Sequence, residues 1–438
     1  MTAMTLQFWA AISKTMRHPR ILLAATICAM LVGCGSREKT VPPIDPRNPV
    51  DLNKTLTNEM SEFEGIEKMD KDISNFMKQW GLHGMSVSVI RNDSLVFSRG
   101  YGWADEEKNV EMTPGTILRV ASVSKLITAA GIMKLCEQGK VSFSDKVFGE
   151  EGILSEYTDK IKDKRYFKIS VEDLLRHEGG FSTRGGDPMF TTRDIILRNR
   201  LAAAPTNSEL VALMVQRSLK FYPGTSQEYS NFGYLLLSMI IEKVTGEPYE
   251  KWMQANVLQP AACRDMHIAY NNYSERYLNE TRYYVPSNEP LIQEYNNSGR
   301  EVIRCYGGND IRNLSGAGAW VTSTPELARF VASIDGKDGV PDVLSKESVD
   351  TMTYYYDDST YSIGWNDTKP ENGWLRTGTL SGTSALIKYY QDGECWVLVT
   401  NTSTWKGPKF SRYTRGLCNK CKEKYSDKFP KHDLFYKL

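Results

Sequence analysis

What most constrains this chain is the placing of strand-like segments at its two ends with helical segments between them. Near the start, Met85, Val87 and Val89 alternate with Ser86 and Ser88. A turn follows at Arg91 to Ser94, and Leu95, Val96 and Phe97 resume an apolar run, which predicts a hairpin. Near the end, Ser384 to Tyr390 and Cys395 to Thr400 are apolar-rich runs joined through Gln391-Asp392-Gly393, a second hairpin. Between them, Leu237, Ile240, Ile241 and Val244 recur at helical spacing and stop at Gly246. Another helix begins with Thr324 as cap and Pro325 in its first turn, and Leu327, Phe330, Val331 and Ile334 mark its buried face. Strands from both ends predict one antiparallel sheet flanked by helices, with a mostly helical inserted domain over roughly residues 140–315, an α+β fold. A chain of 438 residues can bury such a core in two lobes.

The N-terminus reads as a secretory leader, because Arg17, His18 and Arg20 precede an apolar run from Ile21 to Val32 that is short for a membrane span. It ends in Leu31-Val32-Gly33-Cys34, which resembles the bacterial lipobox, whose cysteine is lipidated and becomes the mature N-terminus. The plan is then a signal peptide over 1–33, a tether over 34–61 through Pro42, Pro43, Pro46 and Pro49, and a folded body over 62–438. The alternatives are an ordinary cleaved signal or an uncleaved anchor. A lipidated Cys34 implies an extracytoplasmic protein held on a bacterial membrane, in the periplasm or on the outer surface.

In such a compartment Cys136, Cys263, Cys305, Cys395, Cys418 and Cys421 are open to disulfide formation, with no pairing readable. Cys418-Asn419-Lys420-Cys421 has no second cysteine pair to make a zinc site, and reads as a local disulfide or two free thiols. His83, His267 and His432 show no metal-ligand spacing, which disfavours a metallo-hydrolase. A net charge of +1 gives no sign of a nucleic-acid partner. The basic tail of Lys406, Lys409, Arg412, Arg415, Lys420 and Lys422 is either a solvated face or a contact with an acidic envelope surface. The segment from Tyr270 to Tyr306, rich in tyrosine and asparagine, reads as a long loop, either a substrate lip or a surface excursion.

Chemistry concentrates in three short motifs: Ser122-Val123-Ser124-Lys125, Tyr229-Ser230-Asn231 and Arg376-Thr377-Gly378. Ser-x-x-Lys also occurs at Ser36/Lys39 and Ser403/Lys406, so order and context carry the signal. Leu126, Ile127, Ala130 and Met133 follow Ser122 at helical spacing, which places the serine at a helix N-terminus, where unpaired N–H groups favour developing negative charge. Lys125 lies one turn on and faces the same way, within reach of the hydroxyl. Taken alone, that motif reads as a capped helix with an exposed lysine.

Together with Gly100-Tyr101-Gly102, Leu174-Leu175-Arg176-His177-Glu178-Gly179-Gly180, Tyr222-Pro223-Gly224, Gly316-Ala317-Gly318 and Gly364-Trp365, these motifs resemble the serine β-lactamase-related family. The branch is that of class C β-lactamases, DD-peptidases and related esterases, and the likeness runs from about Gly84 to Asn401. It implies a β-lactamase/transpeptidase-like fold and catalysis without a cofactor. Ser122 would be the nucleophile, Lys125 its proton-handling partner and Tyr229 the general acid/base. Asn231 would orient the substrate amide, with Arg376, Thr377, Gly378 and Thr379 lining the other side, and the N–H groups of Ser122 and Thr379 forming the oxyanion hole.

His177 falls in a segment whose family counterpart is structural and is assigned no chemistry. Arg376 departs from the family's lysine or histidine: it would either grip a substrate carboxylate or make a structural ion pair. The implied partners are small-molecule or peptide substrates: β-lactams, D-amino-acid cell-wall peptides or esters. The alternative is a binding or sensor protein that keeps the fold without turnover. The oligomeric state is not read from the sequence.

Overall fold

The computed structural model describes residues 49–357 and 359–436. The leader, Cys34 and Pro42, Pro43 and Pro46 lie outside them. The central feature is the six-stranded antiparallel sheet that the chain ends predict. The N-terminal part gives β1 (Gly84–Arg91), β2 (Ser94–Asp105) and β3 (Val110–Glu111), and the C-terminal part gives β4 (Trp374–Leu380), β5 (Thr383–Tyr389) and β6 (Glu394–Thr400). They lie in the order β3-β2-β1-β6-β5-β4, so β1 and β6 join the two ends of the chain, with Met85 opposite Thr400 and Arg91 opposite Glu394.

Both sheet faces are covered. On one, Met85, Val87, Val89, Trp396 and Leu398 meet helix α1 (Ile66–Trp80) and the C-terminal helix α6 (Ser411–Tyr425). On the other, Cys395, Val397 and Val399 join the larger core, which holds α2 (Ser124–Glu137), α4 (Asn231–Thr245) and α5 (Thr324–Ala332). The alternation in β1 therefore does not mark a wet face. Ser86 and Ser88 are fully buried against α5, where both bond the Thr324 hydroxyl at 2.7 and 2.8 Å. Thr324 is accordingly not the cap of α5; Ser323 is, accepting from the Glu326 N–H at 3.3 Å.

The body also begins earlier than Glu62. The Val50 N–H donates to the Phe435 carbonyl at 3.1 Å, and Leu52 and Leu56 enter the main core from one short helical turn. Residues 50–61 are thus part of the body and not of the tether, since two leucines four apart bury one face without the longer periodicity that marks a helix in sequence.

The chain between β3 and β4 carries the helical insertion, including α3 (Val171–Leu175) and α4. Its ends are clamped by a small antiparallel sheet in which Leu118–Arg119 and His267–Ile268 both pair with Trp320–Thr322. The tyrosine-rich segment is ordered and anchored at several points. It contains the paired strands Ile292–Gln293 and Glu301–Val302. Buried Tyr283 donates to Glu280 at 2.7 Å, accepts from the Arg119 N–H at 2.8 Å and stacks beneath its guanidinium. All six cysteines among the described residues are free thiols.

Candidate active site

Ser122 sits in a 3-10 turn, Ala121–Val123, that runs directly into α2, so the expected helix N-terminus is realised one turn early. α2 is buried on all sides from Ser124 to Leu135, which makes it the axis of the core and a rigid mount for the serine. Ala121, just before the serine, takes the left-handed conformation (φ 50) although it is not glycine, and full burial holds it there.

Two side chains converge on the Ser122 hydroxyl, one from a turn further along its own helix and one from 107 residues away. The Tyr229 hydroxyl lies 2.6 Å from Ser122 Oγ and Lys125 Nζ lies 3.3 Å from it. Lys125 is fully buried, donates at 2.6 Å to both Asn231 Oδ1 and the Ala317 carbonyl, and lies 4.7 Å from the Tyr229 ring centre. Burial, with a smaller push from Arg376, lowers its pKa from the ordinary 10.5 to about 8, although the charge of Tyr229 opposes the shift. For Tyr229, burial raises the pKa, but the positive charges of Lys125 and Arg376 outweigh it and the net shift is downward. The ammonium and the phenol thus bias each other's protonation across their contact.

Asn231 begins α4 behind the Ser230 cap. Both ends of its amide are engaged, Oδ1 by Lys125 and Nδ2 by Asp187 at 2.6 Å. It holds the lysine in place. His177 is buried, held well below its ordinary pKa mainly by that burial and next by Lys125 and Arg376, and accepts the Ser230 N–H on Nδ1 at 3.2 Å. It is a neutral brace for the Tyr229 motif, in keeping with the structural reading.

The third motif lies on β4, the sheet edge. Gly378 is required by close approach: a Cβ there would stand 2.2 Å from the Val120 carbonyl oxygen and 2.9 Å from the Ser122 N. Along this edge the Leu375 N–H donates to the Asp367 carbonyl at 2.8 Å and the Thr377 N–H to Asn366 Oδ1 at 2.7 Å. Strand alternation turns the Thr379 N–H to the same edge, beside the nucleophile, as an oxyanion hole needs.

Two expected substrate contacts are corrected. Arg376 is fully buried and clasps the Ser122 carbonyl, with Nε at 2.8 Å and Nη2 on the same oxygen. It forms no ion pair among the described residues, and the backbone of the nucleophile fills its Nε/Nη2 edge, while Nη1 is buried without a hydrogen-bond partner. Thr377 commits both its N–H and its hydroxyl to Asn366.

Asp187, Asn366 and the Ala317 carbonyl escaped the sequence reading as parts of the site. Asn366 and Ala317 lie in or beside the Gly364-Trp365 and Gly316-Ala317-Gly318 motifs, whereas nothing local marks Asp187. Among the described residues no group of acidic, histidine or cysteine side chains is arranged to hold a metal.

A serine at the head of a buried helix, facing a lysine, a tyrosine and the edge of an antiparallel sheet assembled from both chain ends, defines the β-lactamase/transpeptidase architecture. The family model described as Beta-lactamase matches residues 69–417, and the chain belongs to that family. It is 26% identical over 350 residues to PbpX of Bacillus subtilis (strain 168), a protein with a provisional penicillin-binding name, covering 79% of this chain and 77% of that one. FmtA from Staphylococcus aureus superposes with a TM-score of 0.62 at 19% identity, over 87% of this chain and 97% of its own. The D-amino acid amidase from Ochrobactrum anthropi SV3 does so with a TM-score of 0.63 at 18% identity, over 83% and 98%.

Proposed function

We propose that this protein is a serine hydrolase that forms an acyl-enzyme at Ser122. The observation that carries the reading is the simultaneous contact of Ser122 Oγ with the Tyr229 hydroxyl at 2.6 Å and Lys125 Nζ at 3.3 Å. As Oγ attacks the substrate carbonyl carbon, its proton passes to the Tyr229–Lys125 pair, and the oxyanion takes hydrogen bonds from the N–H groups of Ser122 and Thr379. Collapse expels the leaving group, which receives that proton, and water then repeats the sequence on the acyl-enzyme. The family membership and the amidase and penicillin-binding names among similar proteins support acyl transfer as the reaction class.

Simple esters and amides are the preferred substrates in this reading. β-Lactams and D-amino-acid peptides of cell-wall type carry a carboxylate near the reacting carbonyl, and the group expected to grip it, Arg376, is buried on the Ser122 carbonyl, while Thr377 is bonded to Asn366. The test is a panel: p-nitrophenyl esters are expected to turn over with Ser122-dependent kinetics, and a penicillin to acylate without rapid release. Penicillin turnover faster than ester turnover would overturn the order. Ligand binding unchanged by Ser122→Ala, with no turnover of either substrate, would favour a sensor.

The same reading places the protein outside the cytoplasm on a bacterial membrane, anchored through a lipidated Cys34. Metabolic labelling with palmitate checks this, since label retained in Cys34→Ser would contradict it.

A further inference from the structure

We propose that the face formed by Trp80, Trp405, Tyr413, Lys406, Lys409 and Arg412 docks on an anionic lipid bilayer. It gathers the end of α1, the loop after β6 and the start of α6. Trp405 is 75% exposed and Tyr413 39%, yet both are braced. Trp80 packs on Tyr413 with ring centres 4.6 Å apart, on Trp405 at 6.3 Å and on the buried Phe410 at 5.0 Å. Lys406 Nζ stands 3.8 Å from the Trp405 ring centre.

The charge around these rings is one-sided. From Cys395 to Lys422 the sequence has no Asp or Glu, in a chain whose net charge is only +1. Lys420, Lys422 and Lys424, further along α6, pair with Asp72 or Asp392. Lys406, Lys409 and Arg412 have no ion-pair partner among the described residues. Arg412 also stands in the first turn of α6, which has no acidic residue, so it opposes the helix dipole.

Tryptophan and tyrosine settle where lipid meets water, and lysine and arginine beside them are drawn to anionic headgroups. A soluble polyanion would engage the cations alone, whereas a bilayer engages both the cations and the exposed indole. The inference does not depend on acyl chemistry at Ser122.

The test is co-sedimentation of the full chain with vesicles of equimolar phosphatidylglycerol and phosphatidylcholine, against phosphatidylcholine alone. The apolar segment 21–32 is common to every variant and cancels in the comparison. The expected result is salt-sensitive binding to anionic vesicles that Lys409→Glu/Arg412→Glu weakens by at least about 25-fold, at roughly fivefold per cation lost with the added repulsion on top. Trp405→Ala weakens it as well with the thermal midpoint unchanged, while Arg412→Glu raises the midpoint by relieving the dipole. Binding unaffected by either the charge reversals or Trp405→Ala would overturn the proposal. So would inorganic polyphosphate binding independent of Trp405 in place of vesicle binding.

Discussion

Lys125→Met is expected to slow acylation of Ser122 by about 10²- to 10⁴-fold, the usual worth of a positioned proton acceptor. Lys125→Arg should not restore it, because a guanidinium keeps its proton at any working pH. The pH dependence follows from the site. With the lysine pKa pushed down to about 8, the ammonium dominates at pH 7 and the accepting amine grows as pH rises. Acylation should therefore climb through pH 8 in the parent and lose that limb in Lys125→Met, as stopped-flow labelling at a series of pH values would show.

The same shift sets an opposite expectation for stability. The folded protein holds the Lys125 proton less tightly than the unfolded chain, a cost on the order of 3 kcal/mol for a shift from 10.5 to about 8. That cost is fully present below pH 8 and fades as pH rises towards 10.5. Replacing the lysine removes it but strips a donor from Asn231 and Ala317, each loss worth about 1–3 kcal/mol, so the two effects nearly offset. A thermal midpoint within a few degrees of the parent, together with lost acylation, would separate a chemical role from a structural one.

Gly378→Ala should be nearly as damaging, for a purely spatial reason. The added carbon would meet the Val120 carbonyl oxygen at 2.2 Å, the Ser122 N at 2.9 Å and the Ala121 Cβ at 3.1 Å. None of these is the free end of a flexible side chain. β4 must back away from the head of α2, and the Thr379 N–H moves with it. Losing one oxyanion donor typically costs about 10²- to 10³-fold in rate, and that is the size of loss expected here. The hairpin with β5, in which Gly378 faces Ala385, should survive, so far-UV circular dichroism of the variant ought to match the parent. Acylation at the parent rate would show that the strand does not form the hole.

The features legible in the sequence were those with a local signature. The hairpins at both ends were visible as apolar runs around turns, and α4 as one-sided periodicity closed by a glycine. Ser122 and Lys125 were readable because three residues on a helix fix their geometry. α2 shows a limit: its helical spacing was readable, but that spacing does not tell a helix buried all round from one with a wet face, so its place as the axis of the core was not legible. Arg376 shows another limit. Its partner is a backbone carbonyl 254 positions away, and a carbonyl is the same for every residue type. Asp187 reaches Asn231 from a turn 44 residues upstream, a contact that only tertiary folding creates.

The most direct test of the central claim is intact-mass spectrometry of the protein after reaction with a fluorophosphonate, run beside Ser122→Ala. The account predicts a single adduct on the parent and none on the variant, with both folded by circular dichroism. An adduct of equal yield on Ser122→Ala, or none on a folded parent, would contradict it.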